Sequence, residues 1–232
     1  MDEILRDGFA ALALTLPEGA AEALRQYYVI LDERSRVMNL TAIHGEEDTA
    51  RLHFLDCAAL LRFADFAGKS CIDVGSGAGF PGLVLRILEP RLSLTLLDSQ
   101  QKRVSFQQEV CTALGLSDVK CIAARAEEVP ELRGKHDIAV SRAVARLNLL
   151  SELCLPQVKR GGLFIAMKGP EPEEELREAE KGIRRLGGSV ERVERYTVPG
   201  TDAVHSAVII RKSGDTPPQY PRRWAKMLKT PL

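Results

Sequence analysis

The sequence predicts an α/β protein, a doubly wound, mostly parallel seven-stranded sheet with an N-terminal helical extension. Three observations predict it. From residue 70 onward, short apolar runs alternate with helical stretches, the pattern of parallel strands joined by crossover helices. A glycine-rich stretch, "CIDVGSGAGFPG" (71–82), falls between the first such run and the first helix. The last two runs are separated by only a short connection, so they form an antiparallel hairpin at one edge.

The first 66 residues carry helical periodicity. "EGAAEALRQYYVILDERSRVM" places Ala21, Leu24, Tyr28 and Leu31 on one face. "EEDTARLHFLDCAALLRFADF" places Leu52, Leu55, Ala59 and Phe63 on the face of another helix, and Gly68 ends the region. "SCIDV" is the first strand and "PGLVLRILE" its helix, with Pro81 suited to the first turn. "LSLTLLD" is the second strand, and Ser99 is the expected N-cap of the helix "SQQKRVSFQQEVCTALG". "VKCIAA" and "HDIAV" are the third and fourth strands, the latter followed by the helix "LNLLSELCLPQV". "GGLFIAMKG" is the fifth strand and "EEELREAEKGIRRLGG" the next helix; "SVERVERYTV" and "AVHSAVIIRK" close the sheet as the hairpin. Right-handed crossovers then wind the sheet both ways. The expected organisation is a helical extension over 1–66, a ligand-binding sheet over 67–212 and an irregular, Pro-rich, basic tail over 213–232.

Composition narrows the function classes. Aromatic residues make up only 5%, with one Trp, which disfavours a large base-stacking platform. The formal net charge is +0, unlike a free-standing nucleic-acid binder, although an enzyme with a local basic patch stays open. No apolar run approaches the roughly 20 residues a bilayer span needs, and the N-terminus has acidic residues where a signal peptide has basic ones. Cys57, Cys71, Cys111, Cys121 and Cys154 include no C-x-x-C pair and read as small buried hydrophobes. A reducing, cytoplasmic location, no bound metal, no membrane contact and, with no heptad repeat, a monomer are expected.

The glycine loop can be read in two frames. From Gly77 the spacing is G-x-G-x-x-G, the dinucleotide fingerprint; from Gly75 it is the looser G-x-G-x-G. Doubly wound sheets bind ligands outside the C-terminal ends of their strands. Asp98, at the end of the second strand, is placed to accept from ribose hydroxyls. Asp73, just before Gly75, would repel a pyrophosphate and favours the cationic S-adenosylmethionine over NAD; its other reading is a cap on the loop's own N–H groups. Ala126 and Glu127 follow the third strand, where the adenine of such a ligand lies. Arg142 and Lys168 end the fourth and fifth strands and face the same edge as charged donors.

These segments resemble the bacterial ribosomal RNA small subunit methyltransferase G family, also called glucose-inhibited division protein B. The resemblance is carried, in order, by "MNLTAI", "HFLDC", "DVGSGAGFPG", "LLDSQQKRVSF", "ARAEE", "SRAVA", "MKG" and the terminal "YPRR…KTPL". It implies a Rossmann-like class I fold and transfer of a methyl group from S-adenosyl-L-methionine to N7 of one guanine in 16S rRNA of the small ribosomal subunit. Cofactor positions carried over are Gly75, Phe80, Ala126, Glu127 and Arg142, joined by Asp73, Gly77 and Asp98. Guanine N7 already offers a lone pair, so alignment rather than a general base is expected to supply the rate. Arg142 and Lys168 are the candidate catalytic residues, touching O6 or a phosphate and leaving N7 bare.

RNA contact needs positive charge. Residues 211–232 contain Arg211, Lys212, Arg222, Arg223, Lys226 and Lys229 against one acid, Asp215. Arg222, Arg223 and Lys229 are therefore candidate phosphate contacts; a tail that clamps back on the sheet is the alternative. His53 and Asp56 share a helix face and read as a helix-surface pair; the alternative is that this helix, with Asn39 and Thr41, walls the RNA side of the pocket. The tail "RRWAKMLKTPL" departs from the family pattern, which often has Gly after the Arg pair and Pro before the Lys. Trp224 and Met227 are thus local differences.

Overall fold

The computed structural model describes all residues from 1 to 232. Seven strands form one sheet in the order β3-β2-β1-β4-β5-β7-β6. β1 (Ser70–Val74), β2 (Ser93–Asp98), β3 (Val119–Ala123), β4 (His136–Arg142) and β5 (Val158–Lys168) run parallel to one another. β7 (Val204–Lys212) inserts antiparallel between β5 and β6 (Gly188–Thr197), so the hairpin occupies one edge. β1 pairs with β2 on one side and β4 on the other. The strand order therefore reverses between β1 and β4, which opens the ligand crevice at their C-terminal ends.

Each face of the sheet has its own core. One holds Cys71, Leu94, Leu96, Ile138 and Ile209 against α1 (Asp2–Ala11), α2 (Ala20–Met38) and α5 (Gly82–Leu88). The other holds Ile72, Val74, Ala139 and Phe164 against α7 (Leu147–Cys154) and α8 (Glu173–Arg185). The period-2 alternation of β1 sends Cys71 to the first core and Ile72 and Val74 to the second. Asp73 shares the first set's parity and sits over α5.

Four local expectations need correction. The fully buried tyrosine of α2 is Tyr27, with Ala20, Leu24 and Leu31; Ala21 and Tyr28 lie at the margin of that face. The second N-terminal helix is composite: α3 (Glu46–Thr49), a wide π-helical turn over Ala50–Leu55, α4 (Asp56–Ala58) and a 3-10 turn over Ala59–Arg62. Residues 53–60 are buried all round, as in a helix enclosed by neighbours on every side. Ser99 caps nothing: α6 (Gln101–Ala113) starts after Gln100, whose N–H donates to the Asp98 carboxylate at 2.9 Å. The tail is not irregular throughout. It forms a short helix, α9 (Trp224–Lys229), seated by fully buried Met227 and nearly buried Tyr220.

Cys57, Cys71 and Cys154 are fully buried, whereas Cys111 and Cys121 are only half-buried. No helix is long and apolar enough to cross a membrane.

Candidate active site

The glycine loop joins β1 to α5 and is braced from both sides. Gly75 has φ +72, and a Cβ there would overlap Cγ2 of Val144 in the loop after β4. Only glycine tolerates both the left-handed conformation and this approach. The Gly77 N–H donates to Asp98 Oδ2 at 2.9 Å. The Tyr27 hydroxyl donates to the Ala78 carbonyl, so α2 reaches under the loop. Pro81 stands at the N-cap position, just before the first residue of α5. Asp73 Oδ2 accepts the Gly82 N–H at 2.8 Å, while Oδ1 has no partner. Burial pushes the Asp73 carboxyl up to about 8.

A cavity of about 250 Å³ opens at the ends of β1, β2, β3 and β4. Gly75, Asp98, Ala126 and Glu127 line it, with Leu97, Val144, Leu153 and Trp224 as apolar walls and Arg103 and Arg125 at its rim. Asp98 is held rigid by the N–H groups of Gly77 and Gln100, which fixes a carboxylate at the second strand's end. These residues fit an adenosyl ligand. A glycine floor with no room for a Cβ, a fixed carboxylate for the ribose and apolar walls for a purine are the features such a ligand needs.

A second cavity, of about 480 Å³, is lined by Leu52, His53, Asp56, Arg142, Met167, Lys168 and His205 among others. The two cavities share Ala143, a non-glycine residue at φ +57. The second is built on Phe80. His53 stacks on its ring with centroids 4.2 Å apart, Tyr27 at 5.4 Å, and the Arg142 guanidinium lies 4.9 Å from its centre. Arg142 donates to Asp56 Oδ2 at 3.2 Å, to the Leu52 carbonyl at 3.2 Å and to His53 Nδ1 at 2.7 Å. With Nδ1 accepting, the His53 proton sits on Nε2 and is donated to the Thr41 hydroxyl at 2.8 Å. Asp56 Oδ1 accepts from the Tyr196 hydroxyl and from His205 Nδ1, both at 2.8 Å. Lys168 donates to the Ala145 carbonyl at 2.8 Å and to Glu175 at 2.7 Å.

The charges follow from this network. Burial, then the neighbouring Arg142 cation, pushes His53 down to about 3, so it is neutral. Burial raises Asp56, but its bonds from His205, Arg142 and Tyr196 outweigh that and hold it below its usual value. The hydrogen bond to Asp56 raises His205. Two of the three candidate bases are committed. Asp56 accepts three bonds and the acceptor nitrogen of His53 is occupied by Arg142, while His205 donates from Nδ1 to Asp56 and leaves Nε2 without a protein partner.

The family model described as rRNA small subunit methyltransferase G (GidB) matches residues 20–201. The chain belongs to this family. Relatives named ribosomal RNA small subunit methyltransferase G agree along nearly its whole length. That of Alkaliphilus oremlandii is 44% identical, covering 100% of this chain and 99% of its own. That of Pelotomaculum thermopropionicum is 41% identical, covering 99% and 98%. Among solved structures, TrmN from Thermus thermophilus superposes with a TM-score of 0.57 at 21% identity, over 77% of this chain and 53% of that one. M. jannaschii TYW2 in complex with AdoMet gives 0.56 at 13%, over 73% and 77%. As a family member the chain is an S-adenosylmethionine-dependent rRNA methyltransferase, and the dinucleotide frame of its glycine loop falls away.

The structure sorts the expected site residues into several groups. Gly75, Asp98, Ala126 and Glu127 line the first cavity, and Gly77 fixes Asp98 from behind. Arg142, Lys168 and His53 line the second, with Thr41 bonded to His53. Arg142 lines the second cavity, next to Ala143, which both cavities share. Phe80 is a buried platform beneath that cavity, not a wall of the first. Asp73 caps Gly82 beneath the loop, so the choice of a cationic ligand does not rest on its charge. Asn39 is exposed and ends α2 at φ +46, a helix-stop position Asn tolerates well. Arg222 is a clamp: it forks onto buried Glu152 at 2.8 and 2.6 Å. Arg223 and Lys229 are exposed on the tail. The acidic helix α8 reaches the site, where its Glu175 holds Lys168 and the Leu147 N–H.

His205 and Tyr196 escaped the sequence reading because they come from the edge hairpin, which carries no motif. His53 and Asp56 are buried lining residues and not a helix-surface pair, which leaves the alternative reading of their helix as a pocket wall. The π-helical turn, which no residue pattern announces, brings both inward.

Proposed function

We propose that this chain methylates N7 of a guanine in 16S rRNA, with S-adenosylmethionine in the first cavity and the target base in the second. The observation that carries the reading is that Asp56 and His53, the groups bonded to Arg142 in the second cavity, are saturated by protein bonds and not free to take a proton from the base, which leaves only His205 Nε2 unbonded. An exocyclic amine or a ribose hydroxyl has to shed a proton when methylated. Guanine N7 presents an in-plane lone pair and sheds none. A cavity whose carboxylate and Phe80-stacked imidazole are already saturated suits N7 better than a group that has to be deprotonated.

The bound donor supplies an electrophilic methyl on a sulfonium. Everything else comes from the chain. Ala143, common to both cavities, is where the two ligands meet, and the ends of β1 and β4 set that approach. Two of the Arg142 N–H groups and one of Lys168 remain uncommitted after their protein bonds, matched to guanine O6 or a backbone phosphate. Neither bond involves N7. Methylation leaves the purine cationic, and the carboxylate of Asp56 behind Arg142 tempers the positive field it meets.

The test is a nucleoside digest. Small ribosomal subunits lacking the modification are incubated with the protein and methyl-labelled donor, and the RNA is hydrolysed to nucleosides. Label in 7-methylguanosine alone supports the reading; label in a 2′-O-methyl or amino-methylated nucleoside contradicts it.

A further inference from the structure

Trp224 is the one aromatic side chain among those lining the first cavity, and it is the sole tryptophan of the chain. It stands at the start of α9 and is half-buried, with part of its ring against the core that holds Leu153 and Met227. Its position is fixed from two sides. Arg222, two residues earlier, donates its N–H and its guanidinium fork to Glu152, which is fully buried on α7. Met227, one turn later, is fully buried. Leu153, next to Glu152, lines the same cavity. The clamp and the cavity wall are thus adjacent residues of one helix.

We infer that Trp224 forms one face of the purine pocket, stacking on the adenine of the adenosyl ligand, and that the Arg222–Glu152 clamp exists to hold it there. The inference rests on the adenosyl reading of the first cavity. It assigns a ligand contact to a tail segment whose sequence departs from the family pattern, outside the 20–201 span the family model matches. The remaining apolar walls, Leu97, Val144 and Leu153, are aliphatic and offer no ring for stacking. Base–aromatic stacking is strong enough that losing the ring weakens binding measurably.

The probes are S-adenosylhomocysteine and 5′-methylthioadenosine, titrated calorimetrically into the wild-type protein, Trp224→Phe and Trp224→Ala. Trp224→Ala should bind both about tenfold more weakly, and by the same factor, since the lost contact is to the purine they share. Trp224→Phe should recover most of the loss. In the wild type the emission of the single tryptophan should change on saturation with either probe. That spectroscopic arm stands even if Trp224→Ala melts at the working temperature. Binding heat with unchanged emission, or equal affinity of Trp224→Ala and wild type, overturns the inference and leaves the adenosyl reading intact. A loss confined to S-adenosylhomocysteine overturns it too, by placing the ring against the amino-acid part. No binding heat from either probe in the wild type overturns both.

Discussion

The guanidinium of Arg142 donates to Nδ1 of His53 at 2.7 Å, with both groups stacked on the ring of Phe80. This contact ends the fourth strand in a rigid plate and removes the imidazole as a base. Arg142 is more than a charge at a strand end, because Asp56 also depends on it. Arg142→Ala should therefore abolish most methylation and also destabilise the fold. Breaking a buried pair by removing one partner costs about 3–5 kcal/mol. Arg142→Lys should restore little, since a single ammonium cannot reproduce three bonds in one plane. Urea denaturation beside a transfer assay checks both; normal turnover in Arg142→Ala removes the role.

The imidazoles of the second cavity impose opposite pH trends. His53 is depressed from 6.5 to about 3. Between those values the unfolded chain binds a proton that the folded chain does not. Stability therefore falls as pH drops through that window, by at most roughly 1.4 kcal/mol per pH unit. His205 is raised by Asp56, so its contribution is full below 6.5 and is lost as pH rises through its folded value. Asp56 is held below 3.8, so its contribution is present above that value and lost as pH falls through the folded one. His53→Phe should flatten the decline in denaturation midpoint between pH 6.5 and 4. His205→Gln should flatten the loss above pH 6.5. Unchanged slopes in both variants would show that the network does not titrate this way.

Gly75 and Val144 pack directly against each other in the wall of the first cavity. Gly75→Ala should lower the melting temperature and sharply weaken S-adenosylhomocysteine binding. The cause is an overlap with Val144 plus a left-handed φ that costs about 1–2 kcal/mol for a residue with a Cβ. Val144→Ala relieves only the overlap, so the double variant should recover part of the binding and not all. A double variant as weak as Gly75→Ala alone would assign the whole effect to backbone conformation.

The seven strands, their order of appearance and the closing hairpin were legible because each carries a local signal: apolar runs of strand length, a glycine loop, a short connection. Gly75, Asp98, Ala126 and Glu127 were legible for the same reason, since topology alone puts strand ends at the crevice. What was not legible depends on contacts distant in sequence. Of the two readings of Asp73, the cap is the one seen: the parity of β1 turns it onto α5, where it accepts the Gly82 N–H. Phe80 became a platform only because α2 and the π-helical turn cover it from the far side. Arg222 was read as a phosphate contact because its partner Glu152 lies 70 residues away. The Asp56–His205 bond spans 149 residues and joins the "HFLDC" segment to a strand that carries no motif.

The tail separates clamp from contact. Arg222→Met breaks the buried pair with Glu152 and should lower stability, whereas Arg223→Ala, Lys226→Ala and Lys229→Ala leave exposed positions with stability nearly unchanged. If these three cations touch rRNA phosphates, each replacement should reduce the slope of log affinity against log salt by about 1. Filter binding of the target RNA across a salt series measures it. An unchanged slope in the triple variant would place the RNA elsewhere on the surface.

The central claim is that a guanine bound beside Arg142 receives a methyl group on N7. The most direct measurement maps the modification at single-nucleotide resolution. Small subunits lacking it are treated with protein and donor, and 16S rRNA is cleaved chemically at 7-methylguanosine and sequenced. One new cleavage site at a single guanine, absent without donor and absent with Arg142→Ala, is the result predicted. Methyl incorporation without any such cleavage, or the same cleavage with Arg142→Ala, would contradict it.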